Sequence, residues 1–457
     1  MAATANDMSR ELKNGLADLH YLVVGLGKTG LSCARFLMAK GLKVSVMDSR
    51  AQPPGLKELS LEYPELQIHT GGFDAELMAA ADVLVVSPGI AVSEPAIVTA
   101  CEQGVEVIGD VELFARLATA PVIAITGSNG KSTVTELLGE MARVAGKKVG
   151  VGGNIGTPVL ELLDDDYQLY VLELSSFQLE TTHSLNAKAA VVLNVSPDHM
   201  DRYVDEAAYA KSKQAVYRGD GNMILNADDA VVAAMAKPER RQTWFSLNES
   251  KDGNYGLMLD AEQLFLSKGT EQIMAASELK IPGRHNLANA LAALALGEAV
   301  GLPLEAMVRA LKEYTGLPHR TQWVVKRNGV DWYNDSKGTN VGATVAAIEG
   351  LDGPLILIAG GEGKGADFGE LRAPLADKVS QLILIGRDAP LIAEAISGCC
   401  EVSFAEDMDD AVQQAEKMAQ PGDSVLLSPA CASFDMFSGY EQRGEVFMDA
   451  VRRLADG

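Results

Sequence analysis

A glycine-rich segment at residues 126–133, TGSNGKST, has the residue types and spacing of a phosphate-binding loop. It follows an apolar strand pattern and precedes a helical one, the order that wraps backbone N–H groups around phosphates. Lys131 would reach the terminal phosphates, and Ser132 or Thr133 would offer a hydroxyl to Mg²⁺. The full motif needs glycine at position 125, where this chain has Ile125, so the loop is a variant. The residues predicted to hold a nucleotide here are Gly127, Asn129, Gly130, Lys131, Ser132 and Thr133.

Polar side chains stand at the ends of the next two predicted strands. Glu173 ends an apolar strand, and His199 follows another within NVSPDHMD, residues 194–201. The carboxyl ends of parallel strands meet at one edge of a sheet, so both side chains are expected beside the phosphate loop. A carboxylate there is placed to bind Mg²⁺. A surface glutamate and a packed histidine are the alternatives, and the apolar neighbours of Glu173 argue against the first.

Two later segments add candidates for nucleotide binding. Asn286 and Asn289 lie three residues apart at the start of an alanine-rich helical pattern and hence on one face, although asparagine there is most often a helix cap. Arg320 and the segment NDSKGTN at 334–340, which contains Asp335, bring both charges together near a predicted domain boundary. Such a cluster suits nucleotide and carboxylate binding, and a solvated loop is the alternative.

An earlier glycine motif, Gly25-x-Gly27-x-x-Gly30, follows the first predicted strand, and Asp48 ends the second. This arrangement meets the conditions for a dinucleotide fingerprint, so an NAD-dependent oxidoreductase is a rival interpretation. The loop also suits another nucleotide-like ligand at a helix N-terminus, or a purely structural tight turn. The motif by itself leaves these three readings open.

The elements that must position these residues repeat an α/β rhythm three times, which predicts parallel sheets with ligands at their carboxyl edges. We predict three domains: 1–109, Rossmann-like; 110–316, of the P-loop ATPase α/β type; and 317–457, Rossmann-like. Short antiparallel strands are expected in the turn-rich stretch at 233–269. No stretch of 18 uncharged apolar residues occurs, so we expect no membrane insertion.

Composition limits the partners of the chain. Of its 457 residues, 62 are acidic and 39 basic, and the net charge of −23 opposes a nucleic-acid partner. An anionic substrate must therefore be held by a few placed cations and backbone N–H groups. The five scattered cysteines include no Cys-x-x-Cys pair, which favours a reducing compartment, and we expect a cytoplasmic protein.

Taken together, the motifs resemble the Mur ligase family, ATP-dependent amide-forming enzymes of peptidoglycan precursor assembly. The resemblance covers essentially the whole chain and rests on GLGKTGLS at 25–32, VMDSR at 46–50, SPGI at 87–90, DHMDRY at 198–203 and SPACASFD at 428–435. It is strongest to members that join D-glutamate to UDP-N-acetylmuramoyl-L-alanine. A member that adds another amino acid, or a folylpolyglutamate synthase, is the nearest alternative.

The resemblance implies a UDP-sugar domain, an ATPase domain and a third domain that admits the amino acid. It implies contacts to the UDP-linked substrate from Lys28, Thr29, Asp48, Ser49, Arg50, Ser87 and Asn154. ATP would meet Asn286, Asn289, Arg320 and Asp335 besides the loop. D-glutamate would face Lys337, Thr339, Lys364, Ser433 and Tyr440. A related enzyme has phenylalanine where this chain has Tyr440. The ring of Tyr440 can still line the D-glutamate site, but its added hydroxyl changes that site.

The resemblance also implies two Mg²⁺ sites, one at Glu173 and the hydroxyls of Ser132 and Thr133, the other at His199 and a carbamylated Lys213. The segment around Lys213 reads as helical, so Lys211 and Lys213 lie about 200° apart and only one can face a metal. The implied reaction is phosphoryl transfer to the alanyl carboxylate, then attack by the D-glutamate amine. Lys131, His199 and Lys213 are the expected catalytic residues, and we expect a monomer. A non-catalytic, nucleotide-dependent scaffold is the remaining rival.

Overall fold

Three β-sheets follow one another along the chain. Each sheet and its helices form one segment, called the first, the second or central, and the third in chain order. The computed structural model describes residues 18–200, 202–249, 253–281, 283–351 and 353–454. Asp201, the second carboxylate expected beside His199, lies outside the described residues. None of the described helices has an apolar stretch long enough to cross a bilayer. The predicted domain boundaries at 109/110 and 316/317 fall between the sheets and stay predictions.

The first sheet is parallel throughout and has the strand order β3-β2-β1-β4-β5 of a Rossmann half. Its glycine loop follows β1 at the point where the strand order reverses. The strands are His20–Val24 (β1), Lys43–Asp48 (β2), Gln67–Thr70 (β3), Val83–Val86 (β4) and Glu106–Ile108 (β5). The helices are Lys28–Ala39 (α1), Leu56–Glu62 (α2), Ala75–Ala79 (α3), Pro95–Glu102 (α4) and Asp110–Ala115 (α5).

The central sheet has the order β14-β13-β12-β11-β10-β9-β6-β8-β7. Its strands are Val122–Thr126 (β6), Val149–Gly153 (β7), Leu169–Glu173 (β8), Ala189–Val192 (β9), Asn222–Asn226 (β10), Gln242–Glu249 (β11), Tyr255–Asp260 (β12), Gln263–Lys268 (β13) and Glu271–Ala275 (β14). The helices are Lys131–Val144 (α6), Ser176–Glu180 (α7), Glu206–Gln214 (α8), Ala230–Ala233 (α9), Arg284–Ala299 (α10) and Leu304–Glu313 (α11).

The expectation of antiparallel strands at 233–269 is only partly right. β11 pairs in parallel with β10 and β12, and antiparallel pairing begins between β12 and β13, where Ala261 and Glu262 form the two-residue turn with positive φ. The expectation was wrong for β11 because residue patterning identifies a strand without fixing the direction of its neighbours.

The third sheet has the order β15-β16-β20-β17-β18-β19 and is parallel except for the β15–β16 hairpin. Its strands are Gln322–Arg327 (β15), Val330–Asn334 (β16), Leu355–Gly360 (β17), Val379–Ile385 (β18), Glu401–Phe404 (β19) and Ser424–Leu427 (β20). The helices are Val341–Gly350 (α12), Arg372–Lys378 (α13), Ala389–Ala395 (α14), Met408–Met418 (α15) and Tyr440–Arg453 (α16). Short 3₁₀ turns occupy Val159–Leu162, Ala215–Tyr217, Ala276–Glu278 and Phe368–Leu371.

Apolar strands account for this architecture. β4, β6, β8, β9, β17 and β20 are buried along their whole length, as parallel strands covered by helices on both faces must be. Polar residues therefore concentrate where the strands end. The α/β class and three-part architecture agree with the sequence prediction.

Candidate active site

The phosphate loop lies between β6 and α6. Gly130 has a φ of +82°, and a Cβ at this position would collide with Asn289 Oδ1, so only glycine fits here. Lys131 Nζ donates hydrogen bonds of 2.8 Å to the carbonyl oxygens of Gly127 and Ser128. These bonds aim the ammonium over the loop, in the place where terminal phosphates are held in P-loop proteins.

Two side chains that the sequence analysis did not select hold the loop in shape. Asn194 Oδ1 accepts from the Asn129 N–H at 2.8 Å, and Asn194 Nδ2 donates back to the Asn129 carbonyl at 3.1 Å. Ser128 Oγ donates to the Ser196 carbonyl at 2.9 Å. The segment after β9 thus orders the phosphate loop, which residue spacing alone did not indicate.

Glu173 ends β8 directly beside β6, where it pairs with Ile125. Its side chain is buried, and Asn154 Nδ2 donates to Oε1 at 2.8 Å. Oε2 is buried without a hydrogen-bond partner. A buried carboxylate oxygen with a free lone pair is costly unless it receives a cation or donor. This oxygen fits the predicted magnesium ligand.

Magnesium would need further oxygen ligands here. No group of three or more His, Cys, Asp or Glu side chains that could hold a metal occurs in the described part of the chain. Mg²⁺ commonly keeps several waters and takes one or two carboxylates plus substrate phosphates. This coordination could be supplied here by Glu173, the hydroxyls of Ser132 and Thr133, and a nucleotide phosphate.

His199 occupies a strained loop at the same edge. Its φ is +58°, uncommon for a residue other than glycine and frequent at functional sites. The ring packs 4.8 Å from that of Phe177, and Nε2 lies 3.8 Å from Asp198 Oδ2. Burial lowers the pKa of His199, and the positive charges of Lys364 and Lys131 lower it further against the opposing effect of Asp198. The imidazole is therefore neutral near pH 7 and can accept a proton.

Lys213 is buried on α8, whereas Lys211 on the same helix is exposed. This difference agrees with the helical spacing. Lys213 Nζ donates to the Gly127 carbonyl at 2.9 Å and lies 4.3 Å from the centre of the Tyr209 ring. Burial and the nearby charge of Lys131 lower the pKa of Lys213 well below its usual value. The environment of Lys213 therefore favours its neutral form over the ammonium.

A cavity of about 360 Å³ adjoins the phosphate loop and is lined by Asn286, Asn289, Arg320 and Asp335, the four predicted nucleotide residues outside that loop. Asn289 Nδ2 donates to Asn286 Oδ1 at 3.0 Å. Arg320, from the third segment, donates through Nη2 to Ser132 Oγ at 2.7 Å. The structure thus brings the predicted ATP residues together at the junction of two segments.

Asp335 is held by the Thr321 N–H at 3.0 Å and by Ser428 Oγ at 2.7 Å. Burial raises its pKa to about 6, against the opposing effect of these hydrogen bonds and of Arg320. A pKa of about 6 leaves this carboxyl mainly ionised at pH 7, so its oxygens can accept hydrogen bonds from nucleotide hydroxyls.

A second cavity, of about 500 Å³, opens beside the first glycine motif. It is lined by the predicted substrate residues Lys28, Thr29, Ser49, Arg50, Ser87 and Asn154. Lys28 Nζ reaches across to the Gly156 carbonyl at 2.7 Å, and Ser87 Oγ donates to the Gly25 carbonyl at 2.8 Å. Two cations in a polar cavity suit a diphosphate in an otherwise acidic protein.

Asp48 does not line this cavity. Its oxygens accept from the Leu26 N–H at 2.6 Å, and from the backbone N–H and guanidinium of Arg50 at 2.7–2.9 Å. Burial would raise the pKa of Asp48, but these hydrogen bonds lower it to about 2. The carboxylate is engaged in positioning Arg50 and the glycine loop, which leaves little capacity for the ribose contact of a dinucleotide site.

The predicted D-glutamate residues come from three loops of the third segment. Lys337 Nζ lies 3.6 Å from the centre of the Tyr440 ring, and burial lowers the pKa of Lys337 to about 8. The loop carrying Lys364, which is exposed, joins the loop carrying Ser433 through an isolated bridge between Glu362 and Ala432. Lys337 also lines the nucleotide cavity, so it stands between the two predicted subsites.

Three further residues near these sites were not selected from the sequence. His285 lines the nucleotide cavity, and burial lowers its pKa to about 4. Arg443 is buried and donates to Ser336 and to the Cys431 and Ala432 carbonyls. Arg202, which lies within a motif quoted above, bridges the first two segments. Lone cations on amphipathic helices and loops have no spacing pattern that would single them out.

Three family profiles match successive parts of the chain. Residues 19–109 match the Mur ligase MurD-like N-terminal domain, 125–297 the Mur ligase middle domain, and 319–431 the glutamate ligase domain of Mur ligases. Curated relatives named UDP-N-acetylmuramoylalanine–D-glutamate ligase include that of Nitrosococcus oceani, 56% identical over 95% of this chain and 96% of the relative. Those of Marinobacter nauticus and Pseudomonas aeruginosa are 53% and 51% identical, each over 96% of this chain and 99% of the relative.

Solved structures share the fold at lower identity. A pseudomurein peptide ligase type C from Methanothermus fervidus superposes with a TM-score of 0.63 at 18% identity, covering 96% of this chain and all of that one. A UDP-N-acetylmuramate–alanine ligase from Thermotoga maritima gives 0.57 at 17% identity, covering 95% of this chain and 99% of that one. These likenesses concern the three-part architecture.

Proposed function

This chain belongs to the Mur ligase family, and we infer from that membership and the geometry of its cleft that it joins D-glutamate to UDP-N-acetylmuramoyl-L-alanine with cleavage of ATP to ADP and phosphate. The product is a peptidoglycan precursor. The observation that carries the inference is the convergence of three surfaces. Arg320 of the third segment reaches Ser132 of the phosphate loop, and Asn154 lines the cavity beside the first glycine motif while it donates to Glu173 at the edge of that loop.

The first chemical step is phosphoryl transfer. An oxygen of the alanyl carboxylate attacks the γ-phosphorus of ATP, the bond to the ADP oxygen breaks, and an acyl phosphate forms. Lys131 and Arg320 lie beside the loop that would hold the phosphates and offset the charge of the transferring group. Phosphorylation is needed because a carboxylate is a poor electrophile at neutral pH.

The second step forms the amide. The neutral amine of D-glutamate attacks the acyl carbon, the bond to the phosphate oxygen breaks, and inorganic phosphate leaves. The amine loses a proton, and His199, whose pKa burial lowers, is our candidate acceptor in the state in which its lone pair is not bound to Mg²⁺. Lys364 contributes positive charge at His199, so the amino-acid loop faces the same cleft.

We further propose that Mg²⁺ binds at two places, at Glu173 with the hydroxyls of Ser132 and Thr133, and at His199 with Lys213. When bound, the metal would neutralise phosphate charge. In its neutral form, which the lowered pKa favours, the amine of Lys213 can attack CO₂, forming an N–C bond and releasing one proton to leave a carbamate. A carbamate offers the anionic oxygens that Mg²⁺ prefers, whereas an ammonium would repel it.

Two further groups of residues are proposed to contact the substrates. We propose that Lys28, Arg50 and their cavity neighbours hold the UDP-linked substrate, with Asp48 acting through Arg50. We propose that Lys337, Thr339, Lys364, Ser433 and Tyr440 receive D-glutamate. The five cysteines are all unpaired, which supports our assignment of the enzyme to the cytoplasm. We also propose that the enzyme is a monomer.

Phosphate release tests the assignment of ATP chemistry to this cleft. The wild type, given ATP, Mg²⁺, UDP-N-acetylmuramoyl-L-alanine and D-glutamate, should release phosphate and form the glutamyl product. Lys131→Ala should lower the rate on the order of a hundredfold or more, since charge stabilisation by one placed group is worth about that. Lys148→Ala, which removes an exposed lysine paired with Asp166, is the matched control and should leave the rate unchanged. A wild type that binds ATP without releasing phosphate would instead indicate a scaffold.

A further inference from the structure

Arg202 joins the first segment to the second at a place outside both cavities. Its Nη1 donates to the Pro88 carbonyl at 3.2 Å and its Nη2 to the Ile90 carbonyl at 3.1 Å. Nη2 also donates to Glu180 Oε2 at 2.9 Å, at the end of α7. Both side chains of this ion pair are 15% exposed. One guanidinium thus donates hydrogen bonds to two carbonyls of the first segment and to a carboxylate of the second.

The loop that Arg202 grips, residues 87–90, is a wall of the cavity proposed for the UDP-linked substrate. Ser87 Oγ fastens the same loop from its inner side to the Gly25 carbonyl of the glycine motif. The Pro88 and Ile90 carbonyls of the same loop accept the hydrogen bonds of Arg202. The position of residues 87–90 relative to the central segment therefore depends on the two hydrogen bonds that the Arg202 guanidinium donates to them.

Arg202 also contacts the surroundings of His199, the proposed metal ligand and base. The Arg202 guanidinium carbon lies 4.4 Å from the centre of the Phe177 ring, and that ring lies 4.8 Å from the ring of His199. The Arg202 N–H donates to the His199 carbonyl at 2.9 Å, within the turn that gives His199 its positive φ. One residue consequently contacts the substrate wall and the packing partners of His199.

We propose that Arg202 is a positioning residue that sets the UDP-substrate wall in register with His199 and the phosphate loop. It touches neither cavity and acts through residues 87–90 and through Phe177. The proposal rests on the proposed function, because the register matters only if the acceptor carboxylate must meet the γ-phosphate. A purely stabilising role would need only the charge pair with Glu180.

Two substitutions separate these roles. Arg202→Lys keeps a positive charge for the ion pair with Glu180 but cannot donate to the Pro88 and Ile90 carbonyls together. Arg202→Gln loses both the ion pair and this paired contact. Under the proposal, Arg202→Lys keeps a melting temperature near that of the wild type, yet its kcat falls and its KM for the UDP-acceptor rises, with the KM for ATP unchanged. Since a misplacement of about 1 Å costs on the order of a hundredfold in rate, a loss of roughly that size in kcat/KM for the acceptor is expected. Arg35→Gln, which removes ion pairs to Glu58 and Glu62 on the first segment, is the matched control and should leave all three constants unchanged.

Calorimetric binding of the UDP-acceptor and of a non-hydrolysable ATP analogue to the same variants requires no turnover. The proposal predicts weaker acceptor binding and unchanged analogue binding in Arg202→Lys and Arg202→Gln. Wild-type kinetics and acceptor affinity in Arg202→Lys would overturn the proposal, as would equal losses for ATP and acceptor in Arg202→Gln. A wild type that binds both ligands but forms no glutamyl product would contradict the proposed function, and the acceptor affinities of the variants would still decide the role of Arg202.

Discussion

Asn154 Nδ2 donates a 2.8 Å hydrogen bond to Glu173 Oε1 and leaves Oε2 of the same buried carboxylate without a partner. Asn154 itself lines the cavity beside the first glycine motif. The amide therefore fixes the orientation of Glu173 and leaves its second oxygen available for a ligand. This contact links the proposed substrate cavity to the proposed metal.

Removal of this amide should lower the affinity for Mg²⁺ more than it lowers the stability of the fold. Loss of a group that orients a metal ligand typically costs about 10–100-fold in metal affinity. Asn154→Ala should therefore raise the Mg²⁺ concentration for half-maximal phosphate release by a factor in that range. Asn186→Ala, which removes an exposed amide bonded to Asp220, is the control and should not change it. Equal Mg²⁺ requirements in the two variants would separate Glu173 from the metal.

Lys213→Ala should lose activity on the order of a hundredfold, because the proposed carbamate would no longer supply oxygen ligands. Short carboxylic acids such as acetate should restore part of that activity, since they can occupy the space that the side chain leaves. Lys211→Ala on the exposed face of the same helix should stay near the wild-type rate. The reverse pattern between the two lysines, or full activity in Lys213→Ala, would refute the carbamate.

D-glutamate use should decline as the pH rises through about 8. Burial lowers the pKa of Lys337 to about 8, so its cation is present below that pH and is lost above it. The kcat/KM for D-glutamate should thus be steady below about pH 8 and fall above it. Deprotonation of the substrate amine would act in the opposite direction. In Lys337→Arg the decline should move to higher pH because arginine keeps its charge, and an unmoved profile would assign the ionisation elsewhere.

Selectivity for the amino acid should depend on Lys364. A hydrogen bond to a charged group is worth about 1.5–3 kcal/mol, which corresponds to roughly 10–100-fold in affinity. Lys364→Ala should raise the KM for D-glutamate by about that factor with little change in the KM for ATP. Lys326→Ala, a change of an exposed lysine paired with Asp331 in the same segment, serves as the control. Parallel increases in both KM values would place Lys364 outside the amino-acid site.

Much of the fold could be predicted because its determinants are local. Apolar runs followed by glycine or polar clusters identify parallel strands and the edge where ligands gather, and the phosphate loop, Glu173 and His199 all lie at that edge. The helical period separated Lys213 from Lys211, and the structure buries the first and exposes the second. These inferences needed only residue type and spacing.

The remaining features depend on contacts between distant segments. The Leu26 N–H, 22 positions earlier in the chain, donates to an oxygen of Asp48, and no pattern around Asp48 indicates that this group occupies the carboxylate instead of a ligand. The parallel placement of β11 depends on its neighbours in the sheet, so residue patterning could not predict it. Arg202 gains its role from carbonyls more than a hundred positions earlier in the chain, and no local pattern reports such a partner.

The most direct test of the central claim is phosphate release with UDP-N-acetylmuramoyl-L-alanine across a panel of D-glutamate, L-glutamate, D-aspartate, L-alanine and meso-diaminopimelate. The account predicts phosphate release coupled to an acceptor heavier by one glutamyl residue, with D-glutamate preferred by at least about a hundredfold, since a site built for placed carboxylates rejects analogues that leave its polar groups unpaired. Faster release with another amino acid, or release without a glutamyl product, would contradict the account.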